Sequence, residues 1–215
     1  LPIKITQTRE KLKNLVRKSD SEGVRVVTPP NIGWLEKKLS TNEVDYLWDC
    51  INDRGKSYKS NLAGNIHESN TLVDESDWFY ENTLLPLCHQ YSCQFKPLGK
   101  VQHGLIDFWV NYQKQTEFNP LHNHNGIYSF VVWMKIPTRH VEQNQNPIAL
   151  NSKNPRISSF QFSYTNTLGK IQTYTYQMNP EAEGIMLLFP SELRHQVYPF
   201  YNCDEDRISV SGNII

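Results

Sequence analysis

Apolar residues recur at helical spacing in the first half of the chain and at strand spacing in the second half. A helix is predicted to begin after Ser40, because Ser40 and Glu43 have the spacing of a capping box. A second helix is expected over about 74–91, where Pro86 should bend or shorten it, and a short one over 4–18. The helix predicted after Ser40 has an apolar face of residues spaced i, i+3, i+4 and i+7: Val44, Leu47, Trp48 and Ile51.

From residue 101 onward, the apolar positions alternate as in a β-strand. In the stretch "VQHGLIDFWVNYQ", Ile106, Phe108 and Val110 point one way, and Asp107, Trp109 and Asn111 point the other. The segment 138–156 is polar and interrupted by prolines, so it is predicted to be a long loop and a candidate lid over a substrate. Six more strands are predicted: "IYSFVVWMKIP", "ISSFQFSY", "KIQTYTYQM", "GIMLLFP", "RHQVYPF" and "RISVSGNII".

This order, helices first and then seven or eight strands, favours a mainly β fold with supporting α-helices, either a sandwich or a barrel. A length of 215 residues fits one domain with a substantial core. We expect residues 1–33 to form an N-terminal extension, because "TPPNIG" at 28–33 is typical of a linker. The domain would then span 34–215, with a helical buttress over about 34–98 and a β core over about 99–215.

Charge and cysteine content exclude several classes of protein. The 22 basic and 22 acidic residues cancel and form no basic stripe, so nucleic acid is not a favoured partner. No apolar run approaches the roughly 18 residues that a membrane span requires. The four cysteines show no C-x-x-C spacing, which favours free thiols and a cytoplasmic location.

Three of the seven histidines stand in a pattern suited to a metal. His122 and His124 are two residues apart in "NPLHNHNG", so in an extended segment both side chains project to one face. His195 follows the strongly apolar strand at 185–189, and in a jelly roll strands distant in sequence become neighbours. The remaining histidines stand singly and are interpreted as structural or exposed: His67, His89, His103 and His140.

Arg207 lies in an otherwise apolar predicted strand, "RISVSGNII", and alternation places Ser209 on the same face. A guanidinium is costly to bury without an anion, and its fork of N–H donors suits a carboxylate. Taken alone, Arg207 is more simply an edge-strand arginine paired with Asp204 or Asp206.

Together these residues resemble the iron(II)/2-oxoglutarate-dependent oxygenases, in which H-x-[D/E], a distant histidine and Arg-x-Ser follow in that order. The resemblance extends over about 109–215 and is closest to a phage-type branch near the prolyl hydroxylases. Shared landmarks are "W-x-N", "N-P-x-H-x-H-x-G" and "F-P-S-x-L-x-H-x-V-x-P", and "NLAGNI" at 61–66 also looks like that group. The resemblance implies a double-stranded β-helix (jelly-roll) fold with helices packed on one side.

It also implies a dioxygenase that uses iron(II), 2-oxoglutarate and O2, and hydroxylates a C–H bond while releasing succinate and CO2. The matching metal ligands are His122, His124 and His195. Arg207 and Ser209 match the residues that receive the far carboxylate of 2-oxoglutarate. Asn111, on the strand face of Trp109, is a further candidate contact for the co-substrate, although an inward asparagine that satisfies backbone groups is equally compatible.

One position departs from the common pattern, because His124 stands where the family usually has a carboxylate. Three neutral imidazoles would leave the bound metal with one more positive charge. Asp107 or Glu117 is an alternative third ligand. Two other functions stay open at this point: a three-histidine, cupin-like iron dioxygenase that does not use 2-oxoglutarate, and a non-catalytic jelly-roll binding module.

The sequence leaves the substrate open between a peptide side chain, an amino acid and another small molecule, and it leaves the oligomeric state open. A cytoplasmic location would be the host cytoplasm if the protein is viral. Several aromatic residues of the predicted strands are candidates for the pocket wall or for the core: Tyr128, Phe130, Trp133, Phe189, Tyr198 and Phe200.

Overall fold

A computed structural model describes residues 31–97 and 103–215. Of the predicted extension over 1–33, only residues 31–33 are described. The predicted helix over 4–18 lies entirely outside the described residues. Residues 32–215 form one compact unit.

Ten strands and four α-helices make up the described part of the chain. The strands are β1 Leu35–Lys38, β2 Glu68–Thr71, β3 Leu105–Gln113, β4 Asn119–His122, β5 Tyr128–Lys135, β6 Ser159–Thr165, β7 Ile171–Gln177, β8 Ile185–Pro190, β9 His195–Val197 and β10 Arg207–Ile214. The α-helices are α1 Thr41–Asn52, α2 Leu85–Phe95, α3 His140–Gln143 and α4 Pro147–Leu150. Shorter turns are the 3-10 helices Lys59–Asn61, Glu75–Asp77 and Pro180–Ala182 and the π-helix Tyr80–Leu84.

The strands form two antiparallel sheets. The large sheet has the order β1-β8-β5-β10-β3-β2, and the small sheet has the order β4-β9-β6-β7. Between β3 and β10 the chain repeatedly crosses from one sheet to the other, as in a double-stranded β-helix. The prediction of a mainly β jelly roll with supporting helices is confirmed.

The strands that the sequence did not reveal, β1, β2 and β4, are short and carry few apolar residues. β1 is "LEKK" and β2 is "ESNT", and both lie at the edges of the large sheet, where one side of a strand has no partner. β4 is "NPLH", and its proline is tolerated because β4 is the edge of the small sheet. The segment predicted as a helical buttress therefore also supplies two strands.

Two apolar clusters cover the two faces of the large sheet. Val132 and Met134 of β5 belong to a cluster with residues of α1 and α2, such as Leu47 and Cys88. Val131 and Trp133 point the opposite way, into the cluster between the sheets. Every residue of β5 from Tyr128 to Met134 is buried, which explains why its sequence is an unbroken apolar run rather than an alternating one.

The first predicted helix is confirmed as α1, with both hydrogen bonds of the capping box at Ser40. The second prediction, one helix over about 74–91, is correct only in part. Glu75–Asp77 is a 3-10 turn and Tyr80–Leu84 a π-helix, and α2 begins only at Leu85. Leu84 and Leu85 have helical backbone angles, so Pro86 lies inside a continuous helical segment, and its missing N–H coincides with the π-helix that precedes α2.

The segment 138–156 was predicted to be a loop but contains α3 and α4. The Asn146 side chain accepts a hydrogen bond from the Ile148 N–H, and Pro147 occupies the start of α4. Asparagine before proline was interpreted as a loop signal, although the same pair is a favourable helix start. None of the described helices is long and apolar enough to cross a membrane.

Glu43 joins β1, α1 and the π-helix. Its carboxylate accepts hydrogen bonds from Lys37 Nζ, from Thr83 Oγ1 at 2.6 Å and from the Ser40 N–H at 2.8 Å. Burial acts to raise the pKa of Glu43, but these donors outweigh it and lower the pKa to about 2.

We expect Glu43→Gln to lower the free energy of unfolding by about 2 kcal/mol at neutral pH, because hydrogen bonds to charged groups contribute about 1.5–3 kcal/mol. The folded-state pKa is depressed, so the stabilisation is present above pH 4.5 and is lost as the pH falls towards about 2. Urea unfolding of variant and wild type at several pH values measures the difference, which should shrink in acid. The exposed Glu81→Gln is the matched control, and equal losses in the two variants would contradict the prediction.

Candidate active site

Strand pairing brings three histidines together at one end of the small sheet. β4 pairs with β9, and in this register His122 lies directly opposite His195. His124 follows β4 in the connection to β5. One ring nitrogen from each of the three lies within 4.8 Å of the corresponding atoms of the others. The structure thus brings together the three histidines that the sequence singled out, and they form the only such group of metal-ligating side chains in the described residues.

The connection that carries His124 is fixed by backbone hydrogen bonds to the end of β8. The His124 N–H donates to the Ser191 carbonyl at 2.9 Å, and the Ser191 N–H donates to the Ile127 carbonyl at 3.0 Å. Gly126 has a φ of +103°, and a Cβ there would lie 2.8 Å from the Ile214 carbonyl. The turn therefore needs a glycine at this position, which explains the "HNHNG" sequence.

Backbone carbonyls orient two of the imidazoles. His122 Nδ1 lies 2.7 Å from the Pro120 carbonyl, and His195 Nδ1 lies 2.9 Å from the Leu193 carbonyl. Since a carbonyl only accepts, Nδ1 carries the proton in both rings, and Nε2 keeps a free lone pair. This is the arrangement in which protein histidines bind metals.

All three imidazoles are held in the neutral form. Burial lowers the pKa of His122, and it lowers that of His195 well below the usual value. Burial and the adjacent His122 lower the pKa of His124 to about 4. A metal can therefore bind at neutral pH without first displacing a proton from the ligands.

The two carboxylates considered as alternative ligands have other partners. Asp107 Oδ2 accepts a hydrogen bond from Asn213 Nδ2 at 2.9 Å. Glu117 Oε2 accepts from the backbone N–H groups of His67 and Lys114, at 2.8 and 2.9 Å. Neither carboxylate belongs to the histidine group.

Arg207 is buried with much of its hydrogen-bonding capacity unused. Its side chain is 3% exposed, and its Nη2 donates to the Tyr198 carbonyl at 2.9 Å. Nε and Nη1 are buried and have no partner among the described residues. Burial lowers the pKa of Arg207 to about 9, so the guanidinium still carries its charge at neutral pH. Unpaired donors on a buried cation indicate a place for an anion.

The simpler interpretation of Arg207, an edge-strand arginine in a surface salt bridge, is wrong. β10 lies in the middle of the large sheet, between β5 and β3. Asp206 pairs instead with Lys114 at 3.4 Å, and Asp204 accepts a hydrogen bond from Gln115 at 2.9 Å.

The histidines open into a cleft between the two sheets, with room for a volume of about 110 Å³. Ser209 and Asn111 are register partners on β10 and β3, and both line this cleft. Of the aromatic residues proposed from sequence, Phe130 and Phe189 line it, together with Phe160. Four of the proposed aromatic residues do not line the cleft: Tyr128, Trp133, Tyr198 and Phe200. Trp133, for example, packs between the sheets against Phe160, with the two ring centroids 5.8 Å apart.

Sequence reasoning missed the segment Tyr58–Ala63, which forms one side of the cleft. The only signal for it in the sequence is the landmark "NLAGNI" at 61–66, which by itself indicates no role. The predicted lid, 138–156, contributes no residue to the lining. Its residues surround a separate surface depression with Tyr198 and Tyr201.

Comparison with known proteins identifies the family. The profile described as "Putative 2OG-Fe(II) oxygenase" matches residues 107–213, about half of the chain. No curated protein sequence matches this chain.

Solved structures agree in fold. A prolyl-4-hydroxylase from Pseudomonas putida is 15% identical, with 85% of this chain and 91% of that chain covered and a TM-score of 0.50. A prolyl hydroxylase from Trichoplax adhaerens, in complex with a hypoxia inducible factor peptide fragment, is 12% identical, with coverages of 97% and 90% and a TM-score of 0.52. A 2OG-Fe(II) oxygenase family oxidoreductase from Burkholderia pseudomallei is also 12% identical, with coverages of 85% and 84% and a TM-score of 0.52.

The residues present fit the cofactors of this family. Imidazole is a suitable ligand for iron, and the unpaired donors of Arg207 suit a carboxylate of 2-oxoglutarate. The enzyme is thus an oxygenase that uses iron(II), 2-oxoglutarate and O2. The chain belongs to the 2OG-Fe(II) oxygenases.

Proposed function

We propose that His122, His124 and His195 hold the iron(II) of this oxygenase, and that it hydroxylates a C–H bond of its substrate. The single observation that carries the assignment is the convergence of the three ring nitrogens within 4.8 Å. Two of the three rings have Nδ1 engaged by a backbone carbonyl, which leaves Nε2 for the metal. His124 takes the place of the usual carboxylate.

We propose further that Arg207 and Ser209 receive the far carboxylate of 2-oxoglutarate. The two unpaired N–H donors of Arg207 give a planar fork that matches a carboxylate. Ser209 alternates onto the same strand face and lines the cleft, so its hydroxyl is available as one more donor. Asn111, opposite Ser209, is the third candidate contact.

When bound, iron(II) and 2-oxoglutarate supply the activation of dioxygen, and the co-substrate leaves as succinate and CO2. The protein contributes binding, orientation and the exclusion of water. Neutral imidazoles leave the full charge of the metal in place, and Arg207 adds another positive charge, which favours a dianionic co-substrate. Phe130, Phe160 and Phe189 give the cleft an apolar lining that limits the access of bulk water.

The two alternatives considered from sequence leave observations unexplained. A three-histidine dioxygenase without 2-oxoglutarate would leave Nε and Nη1 of Arg207 buried and unpaired. A non-catalytic module would give no reason for three neutral imidazoles, one buried and two half-buried, around one point. Both are therefore less well supported than the oxygenase.

We propose a cytoplasmic setting and a substrate other than nucleic acid. All four cysteines are free thiols, and the Cys88 and Cys50 thiols are buried. Burial raises the pKa of Cys88 to about 12, so this thiol is protected from ionisation and oxidation. The balanced charge of the chain gives no field that would gather nucleic acid.

His195→Ala should reduce the affinity for Mn(II), a redox-stable stand-in for iron(II), by at least about 100-fold, since removal of even an outer-shell partner costs about 10–100-fold. Electron paramagnetic resonance of free Mn(II) measures the binding. His124→Asp should retain it, because a carboxylate is the more common ligand at this position. The exposed His67→Ala is the control. Wild-type Mn(II) affinity in His195→Ala would contradict the assignment of the three histidines as metal ligands. Unaltered Mn(II) binding by His124→Ala would show that His124 is not a ligand.

Arg207→Met should raise the dissociation constant of 2-oxoglutarate by about 100-fold or more, because losing one partner of a buried charged pair costs about 2–5 kcal/mol. Without 2-oxoglutarate the same variant should unfold at an equal or higher temperature, because an unpaired buried charge has been removed. Anaerobic calorimetric titration in Mn(II) and thermal unfolding measure the two effects. The exposed Arg54→Met is the control. Unchanged co-substrate affinity in Arg207→Met would show that the anion binds elsewhere.

A further inference from the structure

A row of polar side chains crosses the middle of the large sheet. Asn213 of β10 lies opposite Asp107 of β3 on one side and opposite Ser129 of β5 on the other, and Ser191 directly follows β8. Asn213, Ser129 and Ser191 are buried, and Asp107 is half-buried. Burying polar groups is costly unless they are hydrogen-bonded. None of the four lines the cleft, so contact with a ligand does not explain them.

The row is a continuous chain of hydrogen bonds, which we call the polar network. Asp107 Oδ2 accepts from Asn213 Nδ2 at 2.9 Å, and Asn213 Oδ1 accepts from Ser129 Oγ at 2.8 Å. The hydroxyls of Ser129 and Ser191 lie 3.0 Å apart. Because a carboxylate only accepts hydrogen bonds, Asp107 fixes which way the Asn213 amide points. The orientation of the polar network is therefore set by Asp107.

The polar network ends at the connection that carries His124. The Ser191 carbonyl accepts from the His124 N–H at 2.9 Å, and the Ser191 N–H donates to the Ile127 carbonyl at 3.0 Å. A Cβ at Gly126 would lie 3.5 Å from Ser191 Oγ, so this hydroxyl lies beside the turn. The polar network thus fixes the backbone on which His124 stands.

His124 lacks the support that the other two histidines receive. The rings of His122 and His195 each have a backbone carbonyl at Nδ1, whereas the His124 ring has no such carbonyl within the described part of the chain. The strand that carries Asp107 reaches this ring instead. Trp109, on the same face of β3 as Asp107, has its ring centroid 5.8 Å from that of His124.

The charge of Asp107 acts on His124 as well. Burial and the adjacent His122 lower the pKa of His124, and Asp107 acts in the opposite direction. Among the described carboxylates, no other acts on the pKa of any of the three histidines. A negative charge is therefore present within reach of the histidine that replaces a carboxylate.

We propose that Asp107 is a positioning residue of the metal site, which fixes His124 through the polar network and supplies the negative charge that a direct carboxylate ligand would give. Outer partners of this kind orient metal-bound imidazoles and raise their basicity. The metal keeps three neutral ligands, while a carboxylate supports one of them. This inference rests on the proposed function, in which His124 is a metal ligand.

Asp107→Asn should weaken Mn(II) binding about 10–100-fold, the usual cost of losing an outer partner. In protein saturated with Mn(II), 2-oxoglutarate should bind equally well or more tightly, because removing a negative charge favours a dianion. Electron paramagnetic resonance of free Mn(II) and anaerobic calorimetric titration measure the two affinities. A distorted site would lose both, so this split distinguishes the loss of Asp107 from misfolding.

The exposed Asp45→Asn is the matched control and should leave both affinities unchanged. Wild-type Mn(II) affinity in Asp107→Asn, or weaker binding of both Mn(II) and 2-oxoglutarate, would overturn the proposal.

A double-mutant cycle tests whether Asp107 acts through His124. In His124→Asp a carboxylate stands at the ligand position itself, so the additional change Asp107→Asn should alter Mn(II) affinity by less than about 3-fold, within the usual scatter of independent sites. Equal losses in the wild-type and His124→Asp backgrounds would show that Asp107 does not act through His124 and would count against its positioning role.

The outcomes separate the two proposals. If the wild-type protein does not bind Mn(II), or if His124→Ala binds it as the wild type does, the proposed function fails. If Mn(II) binding depends on His124 but not on Asp107, only the role of Asp107 is wrong.

Discussion

The antiparallel pairing of β4 with β9 is the contact on which the site depends. It places His122 directly opposite His195, although the two histidines are far apart in sequence. Neither strand is long, and β4 has no partner on its other side, so the pair is held by its place within the small sheet. β9 also pairs with β6, whose Phe160 and Phe162 are buried between the sheets. Core packing thus maintains the distance between two imidazoles.

Much of this arrangement could be predicted from sequence. The long strands were visible because their apolar residues either alternate or run without interruption, and α1 was visible because of its capping box. The three histidines and Arg207 could be singled out because their spacing fits a known order of ligands. The long-range register that sets His122 opposite His195 required the strand order, which came from the family resemblance rather than from periodicity.

The parts that escaped prediction share a physical reason. β1, β2 and β4 are edge strands whose stability comes from neighbours rather than from their own composition, so their polar sequences show no strand period. The segment Tyr58–Ala63 has no regular structure beyond one 3-10 turn, and it is placed by contacts with residues about 50 positions away, such as the Asn65–Phe118 bridge. Local patterns carry no information on such contacts. The same holds for Arg207, whose burial follows from the central position of β10.

The charge distribution explains how a protein of zero net charge can bind a dianion. The 22 basic and 22 acidic residues balance over the whole sequence, while within the described part of the chain Arg207 is a buried cation with no acidic partner. The three neutral imidazoles beside the cleft add no negative charge. The attraction is therefore confined to the interior, where the low polarity of the surroundings strengthens it and salt screens it least.

The close approach of Gly64 to β4 has a consequence for how this enzyme could diverge. A Cβ at Gly64 would lie 2.4 Å from the Phe118 carbonyl, so any larger residue would have to displace the neighbouring backbone. A single substitution there would shift the adjoining segment Tyr58–Ala63, which lines the cleft, while the three histidines and Arg207 stay unchanged. Substrate range and chemistry can therefore change separately in this fold.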